Sequence, residues 1–413
     1  MGLPTEKHLA AVDPQRHADG CAISSPRSLD EPVVQRTRDA RIDLFRGLAL
    51  IFIFIDHIPD NIFARFTLTN FGFADAAEIF VLLAGYAAFL AYARAFNQNR
   101  HIALAKIGSR ICDLYFAHLV VLIACVAGLS VAAHAFHNPI YFEHVNLLPF
   151  SSDPAGAIGR ALVLLYQPGY LNILPLYMLL LMWLPLLLCL MRVSVGLALL
   201  GSATLWAGAN LLGYNLPSYP GSYGWVFNPF GWQLLFSIGA ASASMSLRHG
   251  LLCSRSSWLF WIAVVYLVFG LVVAAPWTKL PGLQQVRLLA DFRVDVSKQY
   301  LSAWRLAHIV ALGYVAAALV SPRDAWLTRM WARFVINCGQ HSLPIFCLSI
   351  ILSLTCYVIL TEAGHGLLLQ IAVNVGGVAL LGLAAWKLAQ QKQNRTQIMP
   401  AHDEVRGWSP SRL

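Results

Sequence analysis

The sequence has few charged residues for its length. Asp, Glu, Lys and Arg make up 12% of its 413 residues, about half the share that is typical of a soluble domain. Hydrophobic residues make up 58%. This balance excludes a soluble enzyme, an intrinsically disordered chain and a small disulfide scaffold. It indicates a protein that lies largely within a lipid bilayer.

Several chemical signatures are also missing. The chain has no Gly-rich phosphate-binding loop of the Walker type, no Gly-x-Ser-x-Gly and no His-Glu-x-x-His, so we do not expect an ATP-driven pump. The eight cysteines include no Cys-x-x-Cys pair. We therefore expect neither a disulfide framework nor a metal site from them.

What the sequence does contain is a series of apolar stretches, most of them near the ~20 residues that cross a bilayer. They predict an all-α, polytopic integral membrane protein with about ten transmembrane helices. Residues 1–40 and 391–413 are polar, and we expect a disordered cytoplasmic leader and a cytoplasmic tail around a transmembrane domain at 41–390. The predicted spans are 44–60, 76–93, 111–133, 171–191, 195–213, 230–247, 257–275, 301–320, 340–360 and 367–387.

The distribution of basic residues predicts the orientation. An even number of spans places both termini on one side, and 22 of the 29 lysine and arginine residues then fall on that side. Because cytoplasmic loops carry the excess of basic residues, both termini are expected in the cytoplasm. The net charge of +9 is explained in the same way, and it does not indicate a nucleic-acid partner.

Ionisable residues inside the first two spans are candidates for function, because burying them in a membrane is costly. Arg46 and His57 are 11 residues apart, three helical turns plus roughly 20°, so they share one helix face. Asp43 lies one turn before Arg46, and Asp56 adjoins His57. The second span begins with Asp75 and Glu78 at a depth similar to that of His57. We therefore predict that His57 acts in acid–base chemistry with Glu78 or Asp56.

Further polar residues cluster at the same outer face of the predicted bundle. Residues 214–229 form a loop rich in aromatics, Gly and Pro, which suits either a sugar-binding wall or an interfacial aromatic belt. For Trp225 and Tyr223 both interpretations stay open. The other members of the cluster are Asn228, Trp232 and Gln233 at the sixth span, and Arg305 and His308 in the eighth.

At RIDLFRGLALIFIFIDH the chain resembles membrane acyltransferases of the acyltransferase-3 type, whose first span carries a basic residue, ten intervening residues and a histidine. With NFGFADAAEIFVLLAGY, NPFGWQLLF and WRLAHIVALGYV added, it looks more closely like the OpgC family, inner-membrane enzymes that succinylate osmoregulated periplasmic glucans. The chain departs from the wider group in one respect. It has Lys106 and Arg110, four residues apart, in place of an Arg-x-x-Arg motif.

The resemblance implies an O-acyltransferase in the bacterial inner membrane that moves an acyl group from a cytoplasmic acyl-CoA to glucan hydroxyls outside. Carried over by position, His57 would be the catalytic histidine and Arg46 its paired basic residue. We further predict that Arg46, Asp43, Lys106 and Arg110 form the donor site. Arg305 would bind a succinyl carboxylate or steady an oxyanion, while the other clustered residues, with Asp75, would contact the acceptor. No bound cofactor is implied. The expected partners are the acyl-CoA donor, the glucan acceptor and the lipid bilayer, with glucan-synthesis proteins left open.

Several alternatives remain at this point. The acyl group is succinyl, acetyl or another short chain, and the acceptor is a cyclic glucan, a linear glucan or another polysaccharide. Transfer is direct or passes through an acyl-histidine. The main alternative function is a multi-span transporter or flippase for an acidic or lipid-linked solute, in which the same ionisable residues would relay protons.

Overall fold

The structure is a computed structural model that describes residues 39–221, 223–249, 257–279, 282–286 and 295–398. Most of the predicted leader and tail therefore lies outside the described residues. Within them the chain forms α-helices and no β-strand. The helices are α1 (Ala40–Asp56), α2 (Ala76–Gln98), α3 (Arg100–Ala135), α4 (Ile140–His144), α5 (Leu148–Ser152), α6 (Pro154–Leu162), α7 (Ile173–Val193), α8 (Val195–Leu212), α9 (Pro229–His249), α10 (Ser257–Ala274), α11 (Ala303–Leu319), α12 (Met330–Gln340), α13 (Ser342–Ala363) and α14 (Leu367–Ile398).

Each of the ten predicted spans falls on a helix. Seven helices in the described part of the chain are long and apolar enough to cross a membrane, namely α2, α3, α7, α8, α10, α13 and α14. The other three predicted spans fall on α1, α9 and α11. The chain is therefore an all-α, multi-pass membrane protein.

Some helices differ from the prediction. Helix α3 begins at Arg100, well before residue 111, because Asn99 caps it by accepting hydrogen bonds from two backbone N–H groups. Helix α12 was not predicted, since its sequence MWARFVINCGQ has no long apolar run. Its polar residues Arg333, Asn337 and Gln340 recur at helical spacing. Helix α14 continues to Ile398, past the predicted domain boundary at residue 390.

Glycines allow α2 and α9 to pack with their backbones in close contact. A Cβ atom at Gly85 of α2 would overlap the carbonyl oxygen of Phe236 in α9, and one at Gly239 of α9 would overlap that of Leu82. Small residues allow membrane helices to pack at this distance. The contact holds the start of α2, with Asp75 and Glu78, beside the start of α9.

Candidate functional site

The start of α2 is shaped by a local sequence pattern. Asp75 precedes the helix, and its Oδ1 accepts a hydrogen bond from Ala77 N at 2.8 Å. Glu78 returns the contact, because its Oε2 accepts from Asp75 N at 2.9 Å. This is a capping box, which satisfies backbone donors that the first helical turn would otherwise leave unpaired. The same contacts hold both carboxylates in fixed positions at the end of the helix.

Arg305 of α11 pairs with both carboxylates. Its Nε donates to Glu78 Oε1 at 2.7 Å and its Nη2 donates to Asp75 Oδ2 at 3.0 Å. All three residues are buried. The roles that we expected for Arg305, binding an acyl carboxylate or steadying an oxyanion, would require these bonds to be broken first. In this structure Arg305 neutralises two buried acids, and its role toward an acyl carboxylate or an oxyanion stays a prediction.

Lys298 joins Asp75, Glu78 and Arg305 to form an ionic cluster. The sequence analysis did not select Lys298 as a site residue. Its Nζ lies 2.6 Å from Asp75 Oδ2, while 40% of its side chain is exposed. Burial raises the pKa of Asp75, but Lys298 and Arg305 outweigh burial and hold the pKa of this carboxyl well below its ordinary value. Lys298 lies in a loop between two predicted spans, where a single lysine carries no sequence signal.

His57 immediately follows α1, and its backbone N–H donates to Ile53 O at 3.1 Å. The imidazole packs against the ring of Tyr170, with the ring centroids 4.2 Å apart and the planes 34° apart. Within the described part of the chain, its Nδ1 is buried without a hydrogen-bond partner. The charges of Lys298 and Asp75 both act on this imidazole. His57 therefore lies at the edge of the ionic cluster.

The two carboxylates that we predicted to assist His57 are bonded elsewhere. Glu78 binds Arg305 and the backbone of Asp75. Asp56 accepts hydrogen bonds from the hydroxyls of Thr67 and Thr69, the latter at 2.9 Å. Among the described residues, no hydrogen bond joins either carboxylate to His57. The predicted histidine–carboxylate pair is not formed in this structure.

A chain of aromatic residues leads away from His57 on the other side. The Tyr170 hydroxyl and His144 Nε2 share a hydrogen bond of 2.7 Å. His144 packs on Tyr357 with ring centroids 4.8 Å apart, and Tyr357 packs on Tyr141, whose hydroxyl donates to Glu362. Sequence analysis did not select these residues. Tyr357 and Glu362 lie in α13, and the others lie in the long segment before α7. Its several His and Tyr residues were the available signal.

Three residues expected to contact the acceptor are buried and bonded to the backbone. Asn228 Nδ2 donates to Tyr214 O at 2.8 Å, and Gln233 Nε2 donates to Ser202 O at 2.7 Å. Trp232 Nε1 donates to Lys298 O at 3.0 Å. Direct contact with a polysaccharide is excluded in this arrangement because these side chains have almost no exposed surface. Trp232 instead holds the backbone that carries Lys298.

The loop 214–229 contains two aromatic residues whose roles the sequence left undecided, and these two residues differ in exposure. Trp225 is 5% exposed, whereas Tyr223 is 87% exposed. A sugar ring stacks on an accessible aromatic face, so Trp225 is not available for this role. Tyr223 keeps both interpretations, a sugar contact or an interfacial anchor.

The residues of the predicted donor site are partly brought together. Arg46 Nη1 lies 3.7 Å from Asp43 Oδ1 on α1. The charges of Arg46 and Arg110 both act on Tyr177 of α7. Lys106 lies one turn before Arg110 on α3 and is exposed.

His308 does not face the open part of the site. It is buried among rings, with its centroid 5.7 Å from that of Phe73 and 6.4 Å from that of Tyr266. A Cβ atom at Gly72 would overlap the imidazole. His308 therefore supports the loop before α2 rather than contacting an acceptor.

Comparison with protein families decides how this arrangement is classified. The family model described as OpgC protein matches residues 38–393. The chain belongs to the OpgC family. No curated protein and no solved structure shows significant similarity to it.

Membership in the OpgC family confirms the resemblance seen at the first span. It assigns the chain a role in the modification of osmoregulated periplasmic glucans. The matched range contains His57 and the ionic cluster, and it also contains Lys298, Tyr170 and His144, which sequence analysis did not select. All of these residues thus lie within the range that the family model matches.

Proposed function

We propose that this OpgC family member is an O-acyltransferase of the bacterial inner membrane. It transfers a succinyl or other short acyl group from acyl-CoA, supplied on the cytoplasmic side, to hydroxyl groups of a periplasmic glucan. The observation that carries this proposal is the position of His57. The residue is half-buried, and it lies beside a fixed ionic cluster in a member of a glucan-modifying family.

In the proposed reaction, His57 removes the proton from a glucan hydroxyl as its oxygen attacks the thioester carbonyl. The new C–O bond replaces the C–S bond, and coenzyme A leaves as a thiolate. The imidazolium then returns its proton to this thiolate, so that free coenzyme A is the second product. The charges of Lys298 and Asp75 act on His57 with opposite signs.

The donor would enter between α1, α3 and α7. Arg46 and Arg110 supply positive charge for the phosphates of an acyl-CoA. Arg46 lies ~16 Å along α1 from His57, a separation that an extended acyl-pantetheine chain can span. This geometry supports a donor that is bound by its nucleotide at one side of the membrane and reacts near the other.

Replacement of His57 tests this proposal directly. His57→Ala should abolish glucan acylation, measured by mass spectrometry of periplasmic glucans, while the amount of protein in the membrane stays unchanged. His134→Ala is the matched control because His134 is exposed and lies away from the cluster. Acylation retained in the His57 variant would overturn the assignment.

Deletion of the gene identifies the acyl group. Loss of the mass and negative charge of succinyl units would establish succinyl transfer, whereas loss of the smaller, neutral acetyl mass would change the donor to acetyl-CoA. Unchanged glucans would contradict the proposed acceptor. They would favour another acceptor or the transporter hypothesis.

A further inference from the structure

Tyr170 meets the face of the proposed catalytic histidine at a site where no carboxylate binds it. In many enzymes the second nitrogen of a catalytic histidine donates to a carboxylate, which fixes the ring and stabilises its protonated form. Here His57 Nδ1 is buried and has no partner among the described residues, and Glu78 and Asp56 are bonded to other groups. The Tyr170 ring, 4.2 Å away between centroids, occupies the position against the imidazole face.

Tyr170 is itself held firmly. Its φ of 70° lies in the left-handed region, which is unfavourable for any residue except glycine. The hydroxyl is bound to His144, whose ring packs on Tyr357. The adjacent Gly169 N donates to Val145 O at 2.8 Å, which ties the same segment to the loop after α4. Strained residues that surrounding contacts hold in place are concentrated at functional sites.

The phenol remains neutral throughout the physiological range. Burial, with a smaller contribution from Tyr357, raises the pKa of Tyr170 to about 12. A neutral tyrosine ring carries negative charge density on its faces and attracts a cation placed over it. When His57 takes a proton from the acceptor hydroxyl, its ring becomes such a cation.

We propose that Tyr170 is a positioning residue that holds the His57 imidazole in one orientation and stabilises the positive charge it gains during the reaction. This inference rests on the proposed role of His57. The stabilisation appears only after proton transfer has begun, so it lowers the barrier rather than tightening ground-state binding. Tyr170 acts through His57 and does not contact the reacting atoms.

Other charged groups near His57 also influence its protonation. Asp56 precedes it in the chain, Lys298 and Asp75 act on it from the ionic cluster, and Asp60 acts on His144 behind Tyr170. A substitution at Tyr170 changes none of these groups. Phe and Leu carry a Cβ atom as Tyr does, so all three residues meet the same kind of steric penalty at this positive φ.

The first measurement does not depend on acyl transfer. Full-length protein in detergent is treated with diethyl pyrocarbonate, which modifies neutral imidazole, and the rate at His57 is followed by mass spectrometry against pH. The midpoint is the pH at which the modification rate reaches half its maximum. Tyr170→Leu should move this midpoint roughly half to one unit toward lower pH, since the imidazolium loses the ring that stabilised it. Tyr170→Phe, which keeps the ring, should leave the midpoint in place. Tyr223→Leu controls for loss of an exposed tyrosine.

Two results would overturn the inference. One is an unchanged midpoint in Tyr170→Leu, and the other is an equal shift in both Tyr170 variants, which would assign the effect to the hydroxyl. If the Leu variant fails to fold, a shift in the Phe variant alone still contradicts a ring contact. In acylation assays kcat should fall roughly tenfold in the Leu variant. The acidic limb of the plot of kcat against pH should also move to lower pH. A His57→Ala variant that still acylates would instead refute the proposed function and leave the titration result standing.

Discussion

At the scale of single residues, the ionic cluster separates groups that hold the site from groups that meet a substrate. Asp75 accepts from Arg305, Lys298 and a backbone N–H, so its oxygens are engaged on every side. Arg305 is bonded to two acids and is buried. Lys298 has the most exposed side chain of the three, and it lies where a substrate can reach it.

Removal of the Arg305 guanidinium should therefore reduce the stability of the protein, whether or not it also changes the reaction. Arg305→Met would leave Asp75 and Glu78 buried without their guanidinium, a loss of about 3–5 kcal/mol. We expect a lower midpoint of thermal unfolding in detergent and less protein in the membrane. Arg323→Met is the matched control, because Arg323 is exposed and should change stability by less than about 0.5 kcal/mol.

A triple variant sharpens this test. Arg305→Met combined with Asp75→Asn and Glu78→Gln removes the two acids together with their partner and should recover part of the stability, because no uncompensated charge remains. An Arg305→Met protein as stable as wild type that accepts only uncharged acyl groups would restore our original assignment of Arg305 to the acyl carboxylate.

At the scale of helices, the contact between α2 and α9 positions the cluster. Gly85 faces the backbone of Phe236, and Gly239 faces that of Leu82. The starts of the two helices therefore stay together. Asp75 and Glu78 lie on one side, and Trp232, which binds the Lys298 carbonyl, lies on the other.

A larger side chain at Gly85 should separate these helices. Gly85→Val places a branched side chain against a backbone carbonyl, which no rotamer can avoid, and overpacking of this kind costs about 1–3 kcal/mol or more. We expect lower thermal stability together with lower acylation, measured on the same membranes. Gly128→Ala, on α3 with open space at its Cβ position, should not destabilise the protein. Wild-type stability in the Gly85 variant would contradict the packing.

At the scale of the whole molecule, the distribution of basic residues predicts which side faces the cytoplasm. The terminal side holds 22 of the 29 lysines and arginines, so Lys106 is expected inside, and Tyr223 and His57 outside. In a background without the native cysteines, Tyr223→Cys should react with a membrane-impermeant thiol reagent in intact cells. Lys106→Cys should react only after permeabilisation, and the reverse pattern would invert the predicted orientation.

Whether the sequence predicted a contact at the site depended on how far apart the two residues lie along the chain. The Asp75–Glu78 capping box depends on residues three positions apart, and this spacing is present in the sequence, although we had assigned Glu78 to acid–base chemistry with His57. The partner of Glu78 lies 227 residues away, and nothing in the spacing along either helix identifies it. Arg305 was selected for its unusual position in a membrane span, but its partners were not foreseen.

By itself the sequence determined the membrane class, the ten helical segments and the family. Bilayer thickness sets the length of an apolar stretch, and the absence of water requires that a helix satisfy its own backbone, so both are local properties. Only the tertiary structure decided that Arg305 neutralises acids, that Asn228 and Trp232 are buried and that Tyr170 packs on His57. Helical spacing places residues on a common face, whereas the packing of helices distant in sequence decides what each face meets.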